Sequence, residues 1–351
     1  MPAPLSFDVL VIGSGASGLA AALSAETTGA RVALATKGSI QACNSAKAQG
    51  GIQAAVGEDD SPDLHAADVV KSSHETANPR LVEVLTTEAP SAIHWLEELG
   101  VEFNHENGGY RLARCGGASR KRLLQVGDRT GHAITKALRE AFEAGGGTEL
   151  PNHPLVALEP LENGWRATCT AKDGEAVEID AGAVVLAAGG RCFAEAEARG
   201  ELSTNHPNAT GEVTKIALEL GAEARDLDAL QYHPNGGAWP ATMQGYSIPE
   251  TTRAYGAVLL NADGEEFTDS LGPRDAAPAA PGRRPHGPRD HGRAARRRRG
   301  RHRHPFPEEP ARGARARRAR LARPLRRALA RGRHGHPRGR RPLLRRRRGT
   351  G

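Results

Sequence analysis

Three glycines near the start of the chain, Gly13, Gly15 and Gly18, have the spacing G-x-G-x-x-G in the run GSGASG. At a strand-to-helix junction, the first glycine permits a tight turn, the second lets the backbone approach a pyrophosphate, and the third allows close helix packing. The N-terminus of the following helix attracts the phosphates. The motif therefore predicts a dinucleotide site that also includes Ser14 and Ala16.

The sequence on each side of this turn predicts the strand and the helix that must position it. Residues 7–12 form a continuous apolar run that is typical of a buried parallel strand, and residues 18–25 have the pattern of a helix. The apolar run at 31–35 predicts a second strand, which closes a βαβ unit of about 30 residues. This context turns a weak motif into a specific one.

The rest of the main body predicts an α/β protein. Helices are expected within residues 62–100, with an amphipathic stretch at 81–99 that stops at Gly100, and at 130–144 and 211–220. Strands are expected at 155–158, 165–171, 176–179 and 183–188, and strands with turns over 250–275. The order predicts a small antiparallel excursion that returns to the parallel sheet.

The end of the second strand lacks the acidic residue that usually binds the ribose of a dinucleotide, because the sequence there is Ala35, Thr36, Lys37, Gly38. A lysine at this place weakens a generic NAD assignment. Lys37 is then followed by the run NSAKAQGGIQAA at residues 44–55.

Taken together, these motifs resemble the flavoprotein family of L-aspartate oxidase, succinate dehydrogenase and fumarate reductase. The resemblance covers roughly residues 6–276. It is carried further by DRTGH at 128–132, AAGG at 187–190, Thr204, Asn205 and Pro207, QYHP at 231–234, Glu250, Arg253, and GPRD at 272–275.

The resemblance implies FAD as cofactor in a Rossmann-like domain with a parallel sheet, interrupted by an α+β capping domain. We expect an incomplete FAD-binding domain at 1–232, the start of the capping domain at 233–276, and a low-complexity tail at 277–351. Besides the glycine turn, the implied cofactor residues are Lys37, Asn44, Ser45, Ala48, Gln49, Gly50, Gly51, Asp128, Val156, Ala188 and Gly189.

The implied substrate is a C4 dicarboxylate lying against the flavin. His233 matches the family's substrate-carboxylate histidine, Arg274 the arginine that exchanges a proton with the substrate, and Glu250 the substrate glutamate. An imidazole and a guanidinium suit a dianion. From the residues alone, His233 before a proline and Arg274 beside Asp275 also suit ordinary turns.

The subgroup is left open by the sequence. Asn44 stands where membrane-bound succinate dehydrogenases carry the histidine that is linked to FAD, so non-covalent FAD and the aspartate oxidase side are favoured. The basic run at 120–124 agrees with this side, whereas DRTGH is closer to succinate dehydrogenase. Cys115 before Gly116 and Gly117 replaces the glutamate of aspartate oxidases. Pro249 and Asn235 replace substrate threonines, which permits a different dicarboxylate or weak activity.

Charge divides the chain in two. Residues 282–351 contain 27 arginines and three acidic residues, whereas residues 1–281 contain 21 basic and 38 acidic residues, a net charge of −17. The acidic main body gives no reason to expect a specific nucleic-acid partner.

The tail lacks the expected family motifs and has the composition of a disordered segment. A reading-frame slip in a GC-rich gene explains it, and a genuine polyanion-binding arm is the alternative.

No apolar stretch reaches the roughly 18–20 residues of a membrane span, and the four cysteines lack metal-site spacing. We therefore expect a cytoplasmic protein with no metal.

The motifs and the tail leave three hypotheses for the function. The first is an L-aspartate oxidase that uses oxygen or fumarate as acceptor and serves NAD biosynthesis. The second is a succinate dehydrogenase or fumarate reductase flavoprotein subunit, with a quinone and an iron–sulfur partner. The third is an inactive truncated product whose basic tail binds polyanions.

Overall fold

The computed structural model describes residues 3–74, 76–233, 236–249, 252, 257–261 and 263–266. Most of the segment predicted as strands and turns at 250–275, including Glu250 and Arg274, lies outside the described residues, and so does the arginine-rich tail. The predicted domain boundaries at 232 and 276 are therefore still predictions.

The described secondary structure follows the chain in this order: β1 Leu5–Ile12, α1 Ala16–Glu26, β2 Val32–Thr36, α2 Asn44–Lys47, β3 Ile52–Gln53, α3 Pro62–Ser72, α4 Pro79–Glu98, β4 His105–Glu106, β5 Gly109–Tyr110, β6 Leu123–Leu124, α5 Thr130–Gly145, β7 Thr148–Pro151, β8 Leu155–Leu161, β9 Gly164–Thr170, β10 Ala176–Leu186, α6 Cys192–Ala198 and α7 Glu212–Glu219, with a short 3₁₀ helix at Ala241–Met243.

The main sheet has the strand order β7-β2-β1-β10-β9-β8. The strands β7, β2, β1 and β10 are parallel, while β9 is antiparallel to β10 and β8 is antiparallel to β9. The predicted α/β fold and its antiparallel excursion are confirmed. The strands predicted at 176–179 and 183–188 form one strand, because β10 pairs with β1 continuously from Ile179 to Leu186.

The continuous apolar run in β1 is explained by its place between β2 and β10. Leu10 and Val11 are fully buried, as are Ala33 and Leu34 on β2. Helix α1 covers this part of the sheet with Leu19 and other small or apolar side chains and also packs against α5. Both faces of the central strands are therefore removed from water, as parallel sheets require.

The ends of the longer helices follow local capping chemistry. Helix α4 begins with Pro79, and the side chain of Asn78 accepts hydrogen bonds from the Arg80 and Leu81 backbone amides. The chain leaves α4 at Gly100, whose φ is +98°. This ending, which glycine favours, is the one the sequence predicts.

We predict that Leu10→Ala lowers the free energy of unfolding by about 2–5 kcal/mol, because it leaves a cavity in the centre of the sheet. Leu5→Ala on the same strand is the matched control, since Leu5 is 42% exposed. The control should cost less than about 1 kcal/mol. Urea denaturation of both variants measures the difference, and equal losses would contradict the assigned core.

Candidate functional site

The glycine turn joins β1 to α1 without room for side chains at two of its three glycines. Gly13 has φ +110°, and a Cβ there would overlap the carbonyl of Ala187. A Cβ on Gly18 would overlap the carbonyl oxygen of Gly13. Gly15 differs, because its nearest neighbour would be the Ser45 Oγ at 3.2 Å. Packing of the backbone therefore does not require a glycine at this position, and the absence of a side chain instead leaves space for a ligand.

The first turn of α1 faces this open space. Gly15 caps the helix with extended backbone, and within the described chain no side chain caps it. The Ala16 amide donates a hydrogen bond to Ser45 Oγ at 3.1 Å. A helix N-terminus with amides available to a ligand is a ready site for an anion such as a pyrophosphate.

A cavity of about 490 Å³ lies against the glycine turn, at the carboxyl ends of the parallel strands. This volume falls within the range of about 300–1,000 Å³ that is usual for ligand and cofactor sites. Many of the predicted cofactor residues line it together, namely Gly13, Ser14, Gly15, Lys37, Asn44, Ser45, Ala188 and Gly189. The structure therefore brings together groups that are up to 176 residues apart in the sequence.

Glu212 supplies the cavity with the carboxylate that β2 lacks. Lys37 Nζ lies 2.5 Å from Glu212 Oε1 and 2.5 Å from Thr210 Oγ1. Burial raises the pKa of Glu212, but hydrogen bonds from Lys37 and Thr210 outweigh it, so the pKa is below its ordinary value. The ionised side chain at the start of α7 can accept hydrogen bonds from cofactor hydroxyls. Its sequence signal is an acidic residue directly after Gly211, where a helix begins.

Asn44 is fixed by the segment at 205–206. Its Nδ2 donates to Asn205 Oδ1 at 2.9 Å, and its Oδ1 accepts from the His206 backbone amide at 2.6 Å. The pKa of His206 is lowered by burial and by Lys47 and Lys37, which favours the neutral imidazole. His206 and Asn208 also line the cavity, although the sequence prediction did not include them.

The segment Ala48–Gly51 follows α2 and packs against β6 and α5. The Gly131 amide donates to Ala48 O at 2.9 Å, and Gln125 Nε2 donates to Gly50 O at 2.6 Å. Gln49 Oε1 is buried and has no hydrogen-bond partner among the described residues. A buried acceptor without a donor is costly. The fit to a bound dinucleotide rests on the cavity itself, whose glycine turn and helix N-terminus suit a pyrophosphate.

Residues 48–51 do not line the cavity, and neither do the remaining predicted cofactor residues. Asp128 is exposed in the turn before α5, and Val156 is 53% exposed, whereas its neighbour Leu155 lines the cavity. Ala16 and Gly18 belong to the first turns of α1. Assignment of Asp128 and Val156 to the cofactor stays a prediction.

His233 lies in a second, smaller cavity of about 120 Å³, which Thr204, Asn205 and Tyr232 also line. It is exposed, and its Nε2 is 3.4 Å from Ser247 Oγ. Asn205 connects this cavity to the larger one through its bond to Asn44. Since Arg274 and Glu250 lie outside the described residues, the predicted substrate roles stay predictions.

Cys115 lies beside the strand that follows Gly51. Gln53 Nε2 is 3.6 Å from the Cys115 Sγ.

Across the described part of the chain, no helix has the length and apolar character to cross a membrane. The same residues contain no group of three or more His, Cys, Asp or Glu side chains that could hold a metal ion.

Fold and cavity define a dinucleotide-binding α/β domain. The sequence matches the FAD binding domain family over residues 8–319, and the chain belongs to this family of FAD-binding proteins. The match continues past residue 276, where the recognisable motifs end, into the arginine-rich segment.

Relatives within this family are similar to the chain over most of its length. It is 35% identical over 305 residues to L-aspartate oxidase of Streptomyces coelicolor, covering 81% of this chain and 51% of the relative. It is 32% identical over 275 residues to a CoM/CoB fumarate reductase subunit of Methanothermobacter marburgensis, covering 76% and 49%. The chain thus spans about half the length of these relatives.

A solved structure shows the same architecture. The open conformation of a flavocytochrome c3 fumarate reductase superposes with a TM-score of 0.66 at 31% identity, covering 78% of this chain and 50% of that one. The predicted flavoprotein family is therefore confirmed.

We predict that Gly15→Ala keeps the fold and loses FAD, whereas Gly18→Ala loses stability. The added methyl at Gly15 faces the cavity, but at Gly18 it meets backbone, and such overpacking costs about 1–3 kcal/mol or more. FAD titration and the melting temperature separate the two effects. Gly109→Ala is the control, since nothing lies within 4 Å of a Cβ there. Full FAD affinity in Gly15→Ala would contradict the assigned pyrophosphate site.

We predict that Lys37→Met raises the pKa of Glu212, because the hydrogen bond from Lys37 that lowers it is lost. The depressed pKa contributes stability above the unfolded value of about 4.3 and none once the pH falls below the folded one. The variant should therefore be less stable than the parent at pH 7, by less than about 1 kcal/mol because the pair is partly exposed, and the gap should close in acid.

Carboxyl NMR titration of Glu212 and unfolding curves at several pH values measure both effects. The control is Lys215→Met, which removes an exposed pair with Glu219 at 3.8 Å. An unchanged Glu212 titration in Lys37→Met would refute the pairing.

Proposed function

We propose that the protein is an FAD-dependent oxidoreductase that acts on a C4 dicarboxylate and is of the L-aspartate oxidase type, converting aspartate to iminoaspartate in the cytoplasm. The observation that carries the proposal is the cavity at the glycine turn, because Lys37, Asn44 and Ser45, on which the family resemblance depends, all line it. The similarity to an L-aspartate oxidase along most of the chain supports the choice of substrate.

Asn44 supports non-covalent FAD. A carboxamide is not a nucleophile, and both ends of this one are engaged by Asn205 and His206. The flavin is therefore expected to be released when the protein is denatured. Non-covalent FAD supports the aspartate oxidase type over the membrane-bound succinate dehydrogenases.

A bound FAD would supply the acceptor for the substrate hydride, at its N5 atom. The protein's own residues would bind the substrate dianion and accept the proton that the substrate loses together with the hydride. We assign one substrate carboxylate to His233, since an imidazole N–H donates a charge-assisted hydrogen bond to a carboxylate. Glu250 and Arg274 are proposed as the substrate glutamate and the proton partner. Oxygen or fumarate would then reoxidise the flavin.

A second candidate is a fumarate reductase or succinate dehydrogenase flavoprotein subunit. It is favoured by Cys115, which lies beside Gln53 where aspartate oxidases are expected to carry a glutamate for the substrate amino group. The similarity to a fumarate reductase of Methanothermobacter marburgensis supports it too. This candidate would need an iron–sulfur partner and a quinone or another acceptor.

We predict that L-aspartate, but not succinate, bleaches the visible band of the FAD-loaded full chain without oxygen, and that oxygen restores the band with release of peroxide. Bleaching by succinate alone would decide for the second candidate. A flavin band that neither compound bleaches would contradict both activities while leaving FAD binding intact.

His233→Leu provides a control within the same assay, because leucine has no group that can donate a hydrogen bond in place of the imidazole. Loss of a hydrogen bond to a charged group costs about 1.5–3 kcal/mol, so about tenfold more aspartate or above should be needed for half-bleaching. FAD affinity should not change in this variant. An unchanged aspartate requirement would remove His233 from the substrate site.

A further inference from the structure

Arg122 forms a buried ion cluster that no step above uses. Its Nε and Nη2 donate to the two carboxylate oxygens of Asp60 at 2.8 and 2.9 Å, and its Nη1 donates to Asp68 Oδ2 at 2.7 Å. The side chains of Arg122 and Asp60 are fully buried. Asp68 also accepts hydrogen bonds from the backbone amide and hydroxyl of Ser119, at 2.7 and 2.9 Å.

The cost of this cluster suggests a role other than stability. Removing three charges from water is expensive, and well-packed apolar side chains often replace buried ion pairs without loss. His65 is buried beside the cluster, and burial and Arg122 lower its pKa although Asp60 and Asp68 act in the opposite direction. What such a cluster does supply is fixed geometry, since a forked guanidinium accepts few arrangements of two carboxylates.

The backbone at Arg122 holds the segment that follows the predicted flavin residues. The Arg122 carbonyl accepts a hydrogen bond from the Ala54 amide at 3.0 Å. The next two residues form β6, which pairs antiparallel with β3, and Gln125 then donates to Gly50 O at 2.6 Å. Residues 122–125 thus run alongside residues 50–54.

Residues 50–54 and 122–125 are in close contact at Gly51. Gly51 has φ +143°, and a Cβ there would overlap the carbonyl oxygen of Leu124. A displacement of β6 would therefore also displace Gly51 and its neighbour Gln49, whose Oε1 is buried. We infer that Arg122 is a positioning residue that, through Asp60 and Asp68, fixes the flavin-binding shape of residues 48–51. This inference rests on the proposed assignment of Gln49, Gly50 and Gly51 to the flavin.

The test compares FAD with ADP, which is the half of FAD that the glycine turn would hold. In the full chain, Arg122→Met should lower FAD affinity by about tenfold or more and leave ADP affinity within about twofold. Arg122→Lys should lie between, since it keeps the charge but not the fork. It also carries the test if Arg122→Met does not fold. The control, Arg166→Met, removes a forked pair with Asp180 on β9 and β10 and should spare both affinities.

Equal losses of FAD and ADP affinity in both Arg122 variants would overturn the inference, because a merely structural role lowers both. Unchanged FAD affinity would overturn it as well. So would a parent chain that binds ADP but not FAD, since residues 48–51 would then hold no flavin.

Hydrogen exchange of the flavin-free chain gives a second measurement that needs no substrate. The Ala54 amide should exchange faster in Arg122→Lys, while the amides of Val11 and Val185 in the main sheet should keep their parent rates. Unchanged exchange at Ala54 would overturn the inference. Because neither measurement involves turnover, failure of the aspartate reaction would not be confused with failure of this proposal.

Discussion

The rest of the site depends on the close approach of three backbone segments at the end of β1. The Gly13 amide donates to Ala35 O, and the Ala187 amide donates to Ile12 O, both at 2.8 Å. Helix α1 can start at this junction only because Gly18 has no Cβ to meet Gly13. The carboxyl ends of β2, β1 and β10 therefore meet beside the N-terminus of one helix, where α/β proteins bind dinucleotides.

Around this fixed centre, the walls of the cavity come from distant parts of the chain. Lys37 reaches Glu212 at the start of α7, and Asn44 reaches the segment at 205–206. Outside the cavity lining, the Arg122 cluster holds β6 against residues 50–54. These links between segments are polar, whereas the sheet beneath is held by apolar packing.

The sequence was most informative where structure is local. The glycine spacing predicted the β1–α1–β2 unit, and the periodicity at 81–99 predicted the second part of the α3–α4 pair. The strand β7 was missed, because the run TELP is short and polar and is a strand only through its pairing with β2. Helix α6 was missed as well. It has only seven residues, too few for a clear period.

The site was predicted in its motifs but not in its long-range pairs. Glu212 and Lys37 are 175 residues apart, and Arg122 and Asp60 are 62 apart. No local pattern encodes such pairs, since they arise only when the sheet closes. His233 was placed by resemblance and lies in a separate small cavity.

The central claim is that the cavity at the glycine turn holds FAD by its adenosine-diphosphate half. FMN carries the same flavin ring and one phosphate but lacks the adenosine monophosphate part of FAD, so comparing the two ligands by titration of the full chain tests the claim most directly. We predict that FAD binds about a hundredfold more tightly than FMN or better, a difference of about 2.7 kcal/mol. Equal affinities for FAD and FMN would contradict the account.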